Sequence, residues 1–124
     1  MNNYAMTQTA AVLAANPQCF GKESGVRHPS ETPYFADSIM YRYNVLSTDV
    51  LAANVYTGDD ASGGGMGRLS IARHGSTAAP KGNQPANSGI YNSARIILSV
   101  ADGHAESTKL NAWKNYYWNA TWPN

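Results

Sequence analysis

Residues 95–107, RIILSVADGHAES, decide how this chain folds. The run Arg95 to Val100 is built from β-branched and aliphatic residues, the composition of a strand. Asp102-Gly103 follows it, and Asp-Gly is a preferred occupant of a two-residue type I′ turn, whose two central residues both need positive φ. Such a turn sets Ala101 opposite His104, Val100 opposite Ala105 and Ser99 opposite Glu106. Ile96, Leu98, Val100 and Ala105 then share a buried face, and Arg95, Ser99, His104 and Glu106 share the other. The stretch is predicted to be a β-hairpin.

The same residues admit a chemical reading. Asp102 and His104 carry oxygen and imidazole donors, and with His74, and Asp37 or His28, they make a ligand set for zinc or another divalent ion. No second spaced pair such as His-x-x-x-His supports that set. No nucleophile-elbow motif marks a Ser/His/Asp triad either, so no catalytic residue is assigned. Turn chemistry accounts for Asp102 and Gly103 without a ligand and leaves only His104 without a geometric reason.

Outside the hairpin the composition is that of a loop-rich, β-leaning chain. Its 124 residues suit one domain, spanning 1–124. Charged residues are 14%, against about 25% in ordinary domains. Nine Lys+Arg against eight Asp+Glu leave a net charge of +1, and the basic residues are scattered singly. Nucleic-acid binding is not expected, because displacing counterions from phosphates takes concentrated positive charge. Cys19 is the only cysteine, so no intramolecular disulfide forms, and it is read as a small packed thiol. No apolar run approaches the roughly 20 residues of a membrane helix.

Along the chain, YAMTQTAAVLAANP (Tyr4 to Pro17) suits either helix or strand, with Pro17 closing it. Pro29 and Pro33 force extended or turn geometry, and PYFADSIM is predicted to be a short strand. NVLSTDVLAANVY (Asn44 to Tyr56) mixes periods and is left unassigned. TGDDASGGGMGR (Thr57 to Arg68) is predicted to be a loop, its glycines supplying positive φ. It lacks the Lys-Ser/Thr ending of a phosphate-binding loop. Asp59 and Asp60 within it are candidate calcium ligands, without the twelve-residue pattern that ends in Glu. RLSIARHG (Arg68 to Gly75) alternates like a half-buried strand, and the Pro/Gly-rich stretch after it reads as a long surface excursion.

The C-terminal WKNYYWNATW places Trp113, Tyr116, Tyr117, Trp118 and Trp122 within ten residues. Trp113, Tyr117 and Trp118 follow i, i+4, i+5 spacing, so a short helix would bury them against the sheet. The alternative is an exposed aromatic platform for sugar rings or a neighbouring subunit. Asn119-Ala-Thr121 is formally a glycosylation sequon.

In order, PSETPYFADS (Pro29 to Ser38), RHG (Arg73 to Gly75), VADGHAE (Val100 to Glu106) and LNAWKNYYWNATW (Leu110 to Trp122) form a series. That series resembles the C-terminal domain of the prepilin-type, processing-associated family named for a His, a gap and Asp-Gly. Its members are similar to the major pseudopilins of type II secretion. On this resemblance His74 is the motif histidine, and Asp102-Gly103, followed by His104, is the Asp-Gly element. The family's short gap is replaced here by residues 75–101, where added loop length costs little. Its prepilin cleavage site and long apolar helix do not occur in this sequence.

The resemblance implies an α+β fold: an antiparallel sheet of a pseudopilin-like head, its N-terminal anchoring helix absent or trimmed. Residues Met6 to Asn16 are then the candidate cover for the sheet face that the helix would occupy. It implies a non-enzymatic structural subunit of a type II secretion or type IV pilus-like assembly. The implied place is the periplasmic or extracellular side of the cell envelope, among other pilin-like subunits. The membrane enters only through a helix this sequence does not carry. Some relatives bind calcium in a C-terminal loop, which makes the carboxylates of Asp59, Asp60 and Asp102 candidates here; no other cofactor is implied. The alternative function is a free-standing extracellular module that holds carbohydrate on the aromatic tail.

Overall fold

A computed structural model describes residues 1, 2, 4, 10–38, 43–52, 54, 58, 64–69 and 93–123. It contains short helices and a three-stranded antiparallel sheet, an α+β arrangement. Helix α1 spans Ala10–Ala15 and strand β1 spans Pro33–Ala36. Helix α2 spans Gly64–Leu69, strand β2 Arg95–Val100 and strand β3 Ala105–Lys109. Single turns of 3-10 helix occupy Glu23–Gly25 and Pro29–Glu31, and a longer one occupies Leu110–Asn115.

Strand β2 lies in the centre of the sheet, between β1 and β3. Its alternation is the predicted one: Ile96, Leu98 and Val100 are buried, while Ile97 is exposed. Strand β1 begins on Pro33, an edge position where the missing N–H costs no ladder bond. A bulge lies between Pro33 and Phe35. Asp37 then continues the ladder beyond the strand: its N–H donates to the Ile97 carbonyl (3.2 Å), and its carboxylate accepts the Ile97 N–H (3.0 Å).

The hairpin forms, but one residue out of the expected register. Ser99 faces Ala105, Leu98 faces Glu106 and Ile96 faces Thr108. The Gly103 N–H donates to the Val100 carbonyl, and the Val100 N–H donates to the His104 carbonyl, both at 3.0 Å. The loop therefore has three residues and closes on a glycine bulge, a geometry in which only the last loop residue is left-handed. Gly103 has φ of 95°, and no described non-glycine residue has positive φ. Because side chains alternate with period two, this slip exchanges the faces of β3. Ala105 is exposed, whereas Thr108 is buried and Glu106 half-buried.

The core lies on the inner sheet face. Ile96, Leu98 and Val100 pack with Tyr43, Val45, Met66, Leu69, Leu110 and the aromatic residues of the C-terminus. Helix α2 corrects the loop expected over 57–68, and its last two residues, Arg68 and Leu69, correct the start of the strand expected over 68–75. The rest of that strand lies outside the described residues. Glycine disfavours helix, so the cause is tertiary. One carboxylate oxygen of Asp49 accepts the N–H groups of Leu46 and Met66, each at 3.0 Å. Met66 and Leu69, three positions apart, then drop into the core. Gly65 permits the contact, since a Cβ there would strike the backbone of Asn44 and Val45.

The ambiguous N-terminal stretch resolves as α1. None of its residues is buried, and the outer sheet face leaves Phe35 50% exposed and Ile97 37% exposed. Over 10–16, therefore, the segment expected to cover that face does not do so; residues 6–9 lie outside the described residues. No helix among the described residues is long and apolar enough to cross a membrane.

Candidate functional site

The Asp-Gly-His element is an exposed corner that consumes its own polar groups. Asp102 Oδ1 accepts the His104 N–H at 3.1 Å and lies 2.6 Å from His104 Nδ1. This Asx-type turn supplies the geometric reason for His104 that the sequence lacks. The backbone N–H of His104 is the first cause that holds the Asp102 carboxyl below its ordinary value; the imidazole adds to it.

The corner also grips a distant part of the chain. The Ala101 N–H donates to the Thr32 carbonyl (2.9 Å) and the Asp102 N–H to the Pro29 carbonyl (3.2 Å). From the other side, the Tyr117 N–H donates to the Glu31 carbonyl at 2.8 Å. The Thr32 hydroxyl, buried, closes the turn internally by donating to the His28 carbonyl at 2.7 Å. Three of the four motif segments, those at 29–38, 100–106 and 110–122, thus meet at the Pro29–Glu31 turn. The fourth, with His74, lies outside the described residues.

The tail is core rather than platform. Trp113, Tyr116, Trp118 and Trp122 are buried, as the first of the two readings has it and against the exposed platform of the second; Tyr117 is half-buried. The predicted α-helical spacing is also replaced: Trp113 sits in the 3-10 turn, and Tyr117 and Trp118 follow it outside any helix. Burial of two of the three indoles is eased because their N–H groups find carbonyls. Trp118 Nε1 donates to Trp113 O at 2.8 Å and Trp122 Nε1 to Lys114 O at 3.4 Å. Edge-to-face contacts join Trp118 to Tyr43 and Tyr116, and Trp113 to Trp122. The Tyr116 hydroxyl is raised above its ordinary value chiefly by burial, and it lies near Thr108 and Glu106, the residues that the register slip turns inward.

The sequon has a structural use. Asn119 is buried; its Nδ2 donates to the Val45 carbonyl (3.0 Å) and its Oδ1 accepts from the N–H and hydroxyl of Thr121 (3.0 Å each). Asn2 escaped the sequence reading altogether. It is fully buried, its Nδ2 donating to the carbonyls of Pro33 (2.9 Å) and Trp118 (2.8 Å) while its Oδ1 accepts the Tyr4 N–H (3.1 Å). A lone asparagine near a chain start carries no local signal of such a role.

Of the candidate metal ligands, Asp37, His28, Asp102 and His104 lie among the described residues. Among the described residues no three His, Cys, Asp or Glu side chains form a metal-holding group. Asp37 serves the β1–β2 ladder, and His28 stacks flat on Tyr117, ring centroids 3.9 Å apart. Asp59 and Asp60, like His74, lie outside the described residues. Burial raises the Cys19 thiol above its ordinary value, the opposite of what a nucleophile needs.

A cleft among the described residues is open to a ligand. It encloses about 110 Å³ between residues 20–32 and 117–122, with Phe20, Arg27, His28, Tyr117, Asn119 and Trp122 among its walls. His28 and Thr32 of its lining bracket the Pro29–Glu31 turn, and the hairpin corner is bonded to Pro29 and Thr32. No family model, curated protein or solved structure matches the chain.

Proposed function

We propose that the chain is a non-enzymatic, pilin-like structural subunit of a type II secretion or type IV pilus-like assembly at the cell envelope, with the head of a pseudopilin. The observation that carries this reading is the meeting of three motif segments at Pro29–Glu31. Residues that resemble the family's signature act as one mechanical unit, each spending its polar groups on holding the others. A signature consumed in this way supports a role exercised through surfaces rather than through a reacting centre.

The surface best suited to subunit contact is the outer sheet face, where Phe35 and Ile97 stand exposed on neighbouring strands. Exposed apolar side chains on a rigid sheet are the material of protein interfaces. The rival reading, carbohydrate held on the aromatic tail, keeps only Tyr117 half-exposed outside the core.

In cells that produce the protein, antibody detection after envelope fractionation and chemical cross-linking tests the subunit reading. Recovery in the envelope, with a cross-linked ladder that Phe35→Lys abolishes while the fold persists, is the expected result. Quantitative recovery as a free, uncross-linked monomer would overturn the reading.

A further inference from the structure

We propose that the cleft between residues 20–32 and 117–122 binds a small carboxylate, with Arg27 as its counter-ion. This inference is independent of the subunit reading, and either can fail alone. It rests on which polar groups the fold has already used and which it has left.

Two of the cleft's polar side chains are held in place by the fold. The Asn119 amide donates to Val45 and accepts from Thr121. The Thr32 hydroxyl donates to the His28 carbonyl, so it has no proton left to offer a ligand. The other polar residues of the lining are Arg27, which is exposed, His28 and Tyr117. Among the described residues the Arg27 side chain has no hydrogen-bond or ion-pair partner. Among the described residues no carboxylate lines the cleft; Glu31 approaches His28 Nδ1 at 3.6 Å from outside the lining.

A lining rich in donors and free of acids selects a ligand that accepts hydrogen bonds and carries negative charge. Guanidinium presents paired N–H groups that match a carboxylate edge to edge. A neutral sugar offers the Arg27 guanidinium no charge to pair with, so it forgoes the strongest contact the lining makes. Phe20, Trp122 and the stacked His28–Tyr117 pair offer apolar walls for the ligand's body. At about 110 Å³ the space is smaller than the ~150 Å³ cavity known to take benzene. The body is therefore no larger than a single ring, part of it reaching into solvent.

Titrating the intact, isotope-labelled chain with benzoate, and in parallel with benzyl alcohol and with glucose, tests the assignment by amide and indole NMR shifts. Saturable shifts at Gly25, Arg27, Tyr117 and the Trp122 indole are expected with benzoate. Benzyl alcohol and glucose should bind at least about tenfold more weakly, the factor associated with one charge-assisted hydrogen bond. Arg27→Ala and Arg27→Gln should each reduce benzoate affinity by a similar factor and leave the remaining spectrum in place. Arg27→Lys should fall between. Absence of saturation, equal binding of the alcohol or the sugar, or benzoate affinity unchanged in both Arg27 variants would each overturn the proposal.

Discussion

The backbone N–H of Asp102 donates to the carbonyl of Pro29, 3.2 Å away, across a sequence separation that spans most of the chain. That bond, with the one from Ala101 to Thr32, fastens the hairpin corner to the turn that precedes β1. The side chain of Asp102 acts on the same corner by accepting the N–H of His104. Its carboxyl is held below the ordinary value of 3.8. The stabilisation is therefore present above that value and disappears as pH falls through the lower folded-state value. Asp102→Ala should lower the urea midpoint near neutral pH, and the gap from the parent should close in acid below 3.8. A gap of constant size across that range would show that the charged carboxylate is not what holds the corner.

Two glycines should respond very differently to alanine. Gly103 has φ of 95° with nothing within 4 Å of an added Cβ, so its cost is conformational alone, about 1 kcal/mol. At Gly65 an added Cβ meets the backbone of Asn44 and Val45, and forcing that contact apart should cost about 3 kcal/mol. Chemical denaturation of both variants checks the order. Equal losses would mean that α2 does not need its close approach.

Trp118 is fully buried among aromatic rings, and its indole N–H is bonded to Trp113. Trp118→Ala should cost about 3–5 kcal/mol, the range for deleting a large buried aromatic. Trp118→Phe should cost less, the remainder reporting the lost indole hydrogen bond and volume. Thermal unfolding followed by near-ultraviolet circular dichroism would measure both.

Asn2 ties the chain start to β1 and to the tail, donating to Pro33 and Trp118. Asn2→Ala leaves those buried carbonyls without this donor, at about 3 kcal/mol. Asn2→Asp should be worse near neutral pH, because a carboxylate would then face two carbonyl oxygens. Its folded-state pKa would be raised, so stability should improve as pH falls and the acid form regains a donor. An Asp variant that loses stability in acid faster than the parent would refute this account.

The faces of β2 were legible from alternation alone, as was the strand that starts at Pro33. The burial of the aromatic tail was legible as one of two readings, because large rings favour any available core. The hairpin loop was only half legible. Asp-Gly suits a two-residue loop and a three-residue loop alike, and nothing local separates them. Nor could composition foresee helix α2, since its glycines argue against it and its cap, Asp49, comes from a remote loop. The cleft was illegible for the same reason: Arg27 and His28 face Tyr117 and Trp122 only after the chain has folded back.

Local chemistry by itself determined that the chain extends over β1 and β2, that it turns after Val100, and that Gly103 ends that turn. Tertiary structure alone decided the register, the face that β3 turns inward, the helix at Gly64–Leu69 and the company of Arg27. A residue's neighbours in sequence set its preferred torsions and the period of its side chains. Register and site depend instead on which distant N–H and carbonyl groups are left to pair. Here Ala101 and Asp102 find Thr32 and Pro29, and Thr108 and Glu106 turn inward to meet the Tyr116 hydroxyl.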